Sequence, residues 1–508
     1  MKKAKILVLL TLAMALVLVA ACNRGNDGGG TGTNVGTNVT TGDAGAAADN
    51  DAAADPGEAA APVRELPPLS TEPITLTFST WHYFELAQAV GEAFTERHPN
   101  ITIEIVEIPG THYYMDTLLS MAAAQNFPDM FGFLNLAVPI NNGWFLDFSE
   151  YWFDDPDSYM LLDSLHYHVL IDGRAMRFPE AVLPQLVYLD RNVFELLNEP
   201  MPPFNWVWED MLELIPRMTR PDMGIFGYNM FLGPVTWAPV VLNDAISEFG
   251  WDGENYNMQQ WAQYLNQQIE WERLGYRAMS GNDEWEALTG DRYMWPGVSG
   301  RVAMQMDAIW TFNNLYVRDH YRERGIDMVP YAIPMGRNAR TNRRPAFVDF
   351  AGISSATAHP REAYEALKWM TFHTDAWHVR NQITPLLENA AGNRIFYTPN
   401  RFPLTNDPQV WSDFRNLFPL DEPAWDYLLN ASHEPVPLGG QGILGFAEWH
   451  HAEHVNGDFN GVIGVGNAVA QGVIDAFDVV QRMEETGRAA HEAAVNNFRI
   501  MFGQPPKR

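Results

Sequence analysis

Between Ile74 and Phe133 the apolar residues switch repeatedly between two periods, a pattern that requires a sheet and the helices that cover it to be buried together. Ile74, Leu76 and Phe78 fall on one face of a strand, and Thr75, Thr77 and Ser79 on the other. Phe84, Ala87, Val90 and Phe94 then recur at helical spacing. His98-Pro99-Asn100 ends that helix, because proline disfavours the helical region for the residue before it. Ile101, Ile103 and Ile105 form a second alternating run, Pro109-Gly110 marks a turn, and Tyr114, Leu118 and Met121 lie on the next helix. Phe127-Pro128-Asp129 leads into a short strand from Met130 to Phe133. Strands joined by helical crossovers predict a parallel α/β sheet.

With Phe94-Thr-Glu-Arg-His-Pro-Asn-Ile101 and Phe127-Pro-Asp-Met-Phe131 in this order, the stretch resembles the first lobe of extracellular solute-binding proteins that feed ABC importers, particularly the maltose- and oligosaccharide-binding class. Further pieces follow in family order: Phe178 to Asp190, Gly300-Arg-Val-Ala-Met-Gln-Met-Asp-Ala-Ile-Trp310, Asp327 to Gly336, Phe347 to Ser355, and the helix opened by His359-Pro360. The resemblance implies an α/β, two-lobed periplasmic-binding-protein-like (type II) fold with an interlobe cleft. Its expected division is residues 71–186 plus about 304–349 in lobe 1 and about 187–303 plus 350–508 in lobe 2. Crossings are expected near Leu186 to Tyr188, Met304 to Asp307 and Phe347 to Gly352. Asn205-Trp206-Val207 departs from the family pattern and lacks the usual capping side chain before the helix that begins at Trp208.

The first residues read as an export signal. Lys2, Lys3 and Lys5 precede an apolar run from Ile6 to Val19, and Val19-Ala20-Ala21-Cys22 resembles a bacterial lipobox. The resemblance implies removal of residues 1–21, lipidation of Cys22 and an extracytoplasmic location on the cell membrane. Residues 22–70, rich in Gly, Ala, Asn, Thr, Asp and Pro, read as a disordered tether. Cys22 is the single cysteine, so the chain makes no internal disulfide, redox pair or thiolate zinc cluster.

Lys plus Arg number 33 against 63 Asp plus Glu, and the net charge of -30 opposes nucleic acid as a partner. Beyond the signal only Lys368 and Lys507 remain, and no Walker A motif is present, so the chain does not itself carry a P-loop ATPase. Gly461-Val-Ile-Gly464-Val-Gly466 misses dinucleotide-binding spacing and reads as a loop. His450 and His454 share a helix face beside Glu453, but no third ligand is evident. No cofactor and no metal are expected.

Neutral sugars present apolar C–H faces rimmed by hydroxyls, and recognition calls for aromatic platforms with polar groups at their edges. The chain has 17 Trp, and Trp81 ends the first strand, where open α/β sheets bind ligands. The resemblance singles out Trp81, Tyr83, Asp129, Tyr188, Trp237, Asp307, Trp310, Asp349 and Trp449 as ligand-binding candidates, with no catalytic residue. For any one of these aromatics, burial in the core is an equally open reading. The expected partners are a neutral sugar or oligosaccharide and ABC permease subunits, with contact to the membrane through the lipid anchor alone and the protein a monomer. Two alternatives remain open at this point: binding of a peptide or polyol, and an exported carbohydrate hydrolase whose carboxylate pair is set in space rather than in sequence.

Overall fold

The structure, a computed structural model, describes residues 65–81, 83–108, 114–312, 319–388, 392, 399–418, 420, 422–438, 442–455 and 464–507. Cys22, the export signal, most of the tether and residues 461–463 of the glycine-rich stretch lie outside them, whereas the rest of that stretch is not the expected loop: Gly464 precedes a short helix, Val465–Ala470. Residues 65–70 belong to the folded unit rather than to the tether: Leu66 and Leu69 pack on the main core, and Ser70 N–H donates to Glu362 Oε1 at 2.8 Å.

The chain opens as the periodicity predicts. β1 (Ile74–Thr80), α1 (Phe84–Arg97), β2 (Ile101–Glu107), α2 (Tyr114–Ala123) and β3 (Met130–Phe133) form a parallel unit in which β1 pairs with both β2 and β3. Val90 and Phe94 of α1 are fully buried against this sheet. A small hairpin, β4 (Leu170–Ile171) and β5 (Arg174–Ala175), precedes β6 (Arg177–Asp190), a 14-residue strand buried along its whole length.

The second lobe is built on the far half of β6. α3 (Trp208–Arg217), β7 (Phe226–Met230), α4 (Pro234–Asn243), α5 (Gln259–Arg273), β8 (Val302–Ala308) and β9 (Met328–Ala332) follow. Asp210 caps α3 from inside, accepting the Val207 N–H at 3.1 Å, which replaces the side chain missing from the preceding tripeptide. β10 (Arg344–Ile353) then returns to β3, α6 (Pro360–Thr371) and α7 (Thr374–Ile383) pack on the first lobe, and β11 (Pro435–Pro437) leads back toward the second. The chain ends in α8 (Val480–Met501).

The sheet has nine strands in the described residues, seven of them in the order β2-β1-β3-β10-β6-β8-β7, with β9 paired to β6 and β11 to β10, and β6 belongs to both lobes. Its residues Arg177 to Pro184 pair with β10, and Gln185 to Asp190 pair with β8 and β9. The partner of β6 thus changes between Pro184 and Gln185, and the pairing of two other segments differs from the expected division. β8 stays in the second lobe, because it lies parallel to β7 and its Met304 and Met306 pack with Val187, Leu189 and Trp237. The end of β10 pairs with β3, and Tyr364, Leu367 and Trp377 join the core of the first lobe, so α6 and α7 are first-lobe elements. The return crossing is β11, beyond which Leu438 enters the second core.

Candidate functional site

The carboxyl end of β1 presents Thr80 and Trp81. Thr80 Oγ1 donates to Glu180 Oε1 at 2.7 Å, and the Trp81 ring meets Tyr114 edge-on at 4.7 Å. Gly132 in β3 lets the indole lie across the sheet: a Cβ there would be 2.8 Å from the Trp81 ring and 3.1 Å from Glu180 Oε2. Glu180 is placed by an irregularity in the ladder. Pairing passes from Asp349 opposite Ala181 to Phe350 opposite Pro179, so Glu180 is the extra residue of a bulge, a device that re-aims a side chain.

Into this bulge comes Arg401, positioned by the bond from Phe402 N–H to the Val182 carbonyl at 3.0 Å. Its guanidinium is buried, which lowers its pKa, while Glu180, Tyr83 and Asp349 oppose that shift. Tyr83 is 37% exposed, yet burial raises its hydroxyl pKa. Its hydroxyl feels the Arg401 charge and hydrogen-bonds the Asn400 side chain, both of which lower the pKa against the larger effect of burial.

The second lobe repeats the arrangement at the carboxyl ends of β7 and β8. Trp310 lies edge-on to Phe231 at 5.5 Å and tilted on Phe347 of β10 at 5.3 Å. Beneath it, Asp307 accepts the Ala308 N–H at 2.9 Å and a bond from the Trp310 side chain. Burial nevertheless pushes the Asp307 carboxyl up to about 7. Gln305 is fully buried with Oε1 unpartnered, next to Gly297 and the half-buried Trp295. Gln185, on β6 where it changes lobe, has neither end of its buried amide satisfied. Buried polar groups without partners mark positions where a ligand or water completes the bonding.

A family model described as bacterial extracellular solute-binding protein matches residues 82–376, more than half of the 508-residue chain. The chain belongs to that family. Among solved structures, this solute-binding protein is similar to a sugar transporter from Rhizobium etli in an open conformation (TM-score 0.59, 15% identity, 82% of this chain and 99% of that one covered). It is also similar to an ABC substrate-binding protein from Listeria monocytogenes in complex with cycloalternan (TM-score 0.54, 15% identity, 85% and 100% covered). A third is the sugar-binding protein MalE from Xanthomonas citri (TM-score 0.56, 14% identity, 85% and 99% covered). These likenesses establish the two-lobed α/β fold. No curated protein matches in sequence.

Of the residues singled out from sequence, Tyr83 and Asp349 come together around Arg401, Trp81 lies with Glu180 over Gly132, and Asp307 and Trp310 pair in the other lobe. Four others have structural placements. Asp129 is a latch, its carboxylate taking the Thr77 N–H and hydroxyl at 2.9 Å and the Thr357 hydroxyl at 2.7 Å. Tyr188 is fully buried with its hydroxyl donated to the Ala308 carbonyl at 2.9 Å. Trp237 is fully buried on α4, and Trp449 stacks on Tyr256 at 4.8 Å inside a third core cluster. Cys22 lies outside the described residues. His450 is half-buried and stacked on Phe446, its pKa is lowered to about 4 by desolvation, and the described residues hold no metal-binding group of His, Cys, Asp and Glu.

Sequence reasoning missed Glu180, Arg401, Phe231, Gln305 and Phe347. Glu180 did leave a signal, as the one charged residue inside an apolar run from Phe178 to Leu189. Arg401 left none, because it is brought in by a segment far along the chain.

Proposed function

We propose that this solute-binding protein captures a neutral sugar or oligosaccharide between its lobes and delivers it to the permease subunits of an ABC importer. The observation that carries the reading is the pairing, at the strand ends of both lobes, of a half-exposed tryptophan with buried polar groups: Trp81 near Glu180, which interacts with Arg401, and Trp310 above Asp307. Such a pair offers a flat face to sugar C–H groups and directed bonds to hydroxyls. Similar structures named for cycloalternan binding and for sugar transport support this choice of solute. The protein acts by binding, as a monomer, without a cofactor or catalytic step. The export signal at residues 1–21 and lipidated Cys22 hold it outside the cytoplasm, with the segment up to about Glu65 as the tether. No helix among the described residues is long and apolar enough to cross a membrane, so the lipid is the proposed anchor.

A thermal-shift screen against mono- and oligosaccharides tests the reading, since ligand at a hundred times its dissociation constant stabilises by about 2.7 kcal/mol. A shift with a sugar is expected. Response to peptides or polyols alone would overturn the sugar assignment, and consumption of the ligand would replace binding by hydrolysis.

A further inference from the structure

α8 is one continuous helix of 22 residues, about 33 Å long, and its two ends are seated on different lobes. Its first half is anchored to the second lobe. Val480 and Met483 are buried in the cluster built by Phe249, Met258 and Trp261, and Glu484 Oε1 accepts the Met258 N–H at 2.8 Å. Gly487 is bare where a Cβ would stand 2.8 Å from the Tyr256 ring, so helix and ring are in direct contact. This anchor is continuous with the lobe, since Trp261 lies on α5, whose Tyr264 and Trp271 belong to the second core.

The other end reaches the first lobe. Arg499 pairs with Asp172 of the β4–β5 hairpin at 3.3 Å, and the Arg174 guanidinium lies over the Phe502 ring at 5.1 Å. Val495 and Phe498 are buried in the first core cluster. Between the anchors the outward side chains, Glu492 and Ala493, are exposed. A helix is stiff over this length, so its ends cannot separate without a bend or a release.

We infer that α8 is a strut linking the lobes, which limits how far they open in the absence of solute and so sets the starting point of closure. The inference rests on the two-lobed capture reading for its purpose. Its test needs no ligand, so it can fail or hold whether or not a sugar is found.

The test softens the strut and leaves both anchors in place. In a Cys22→Ser background, spin labels go on exposed positions of the two lobes, Glu104→Cys and Asp222→Cys, and interlobe distances are read by pulsed electron resonance. Glu492→Gly with Ala493→Gly places two flexible residues between the anchors. A wider ligand-free distribution, with a new population at longer distance, is expected. The control, Gln481→Gly with Arg482→Gly, softens the helix within the second-lobe anchor and should leave the distribution as in the parent. Identical distributions in parent and Glu492/Ala493 variant would overturn the strut, as would equal broadening in the control. Should the double glycine fail to fold, Arg499→Ala, which removes the partly exposed pair to Asp172 and the Nε bond to the Pro505 carbonyl, is read the same way, and an unchanged distribution there overturns the proposal.

Discussion

Lys368 Nζ lies 3.0 Å from Asp155 Oδ2, and both side chains are sealed from solvent. Asp157 and Glu365 each approach the same ammonium at 2.9 Å, and the Tyr364 hydroxyl donates to Asp155 at 2.8 Å. One of only two lysines beyond the signal is thus spent pinning α6 to the segment after β3, a position a chain poor in lysine has kept for a buried charge. Burial would lower its pKa, but Glu365 and Asp155 raise it overall. For a base with a raised folded pKa, the stability is present below about 10.4 and is lost as the pH rises through the folded value.

Lys368→Met should therefore destabilise by about 3–5 kcal/mol in denaturant unfolding, because it strands Asp155 as an unpaired buried charge. Lys368→Met with Asp155→Leu should recover much of that loss. If the single variant costs no more than an exposed ion pair, about 1 kcal/mol, the buried network is not what holds α6.

Asp307 predicts a loss in the same direction, as pH rises, but at a far lower pH. Its folded pKa of about 7 exceeds the ordinary 3.9, so between those values the folded state binds more protons than the unfolded one. Its contribution to stability is full below about pH 4, falls as pH rises to 7 and is constant above, a span on the order of 4 kcal/mol. Asp307→Asn should remove this slope, so that the variant gains on the parent from pH 4.5 to 7.5 in paired urea titrations. Parallel stability curves for the two proteins would show that the carboxylate is ionised throughout.

How much of this was legible in the chain depended on the range of each interaction. The alternation of Ile74, Leu76 and Phe78 with the helical repeat of Val90 and Phe94 is local, and β1, α1 and β2 form where it places them. Lobe membership is a matter of strand pairing, and nothing within Val302 to Ala308 says that β8 lies beside β7. The site followed the same rule. Trp81 and Trp310 were readable because they follow strands, whereas Asp129 and Tyr188 lie on or beside strands with their polar atoms satisfied internally. Arg401 meets Glu180 across 221 positions of chain.

The tryptophans separate by role. Trp310→Ala should weaken sugar binding by about tenfold or more, equivalent to about 1.4 kcal/mol, with a small change in melting temperature, because its ring is half-buried on Phe231 and Phe347. Trp237→Ala, at a fully buried position, should cost about 3–5 kcal/mol of stability. Calorimetric titration beside thermal melts distinguishes them, and the reading fails if Trp310→Ala melts early and binds normally.

Gly132 offers the most direct test of the first-lobe half of the site, because it changes no group proposed to touch solute. A methyl at this position would stand 2.8 Å from the Trp81 ring, closer than such contacts come, and 3.1 Å from Glu180 Oε2, tight enough to push that side chain slightly. The sheet below is held by β1 and β10 on either side, so Trp81 and Glu180 must give way. Gly132→Ala should cost about 1–3 kcal/mol through overpacking. It should also loosen the bond from Thr80 to Glu180 and tilt Trp81 away from its edge-on contact with Tyr114. Sugar affinity should fall, and the tryptophan emission spectrum should shift as the indole moves. Unchanged affinity with a shifted spectrum would mean that Trp81 moves freely without touching the ligand, and the first-lobe platform would have to be sought elsewhere along the cleft.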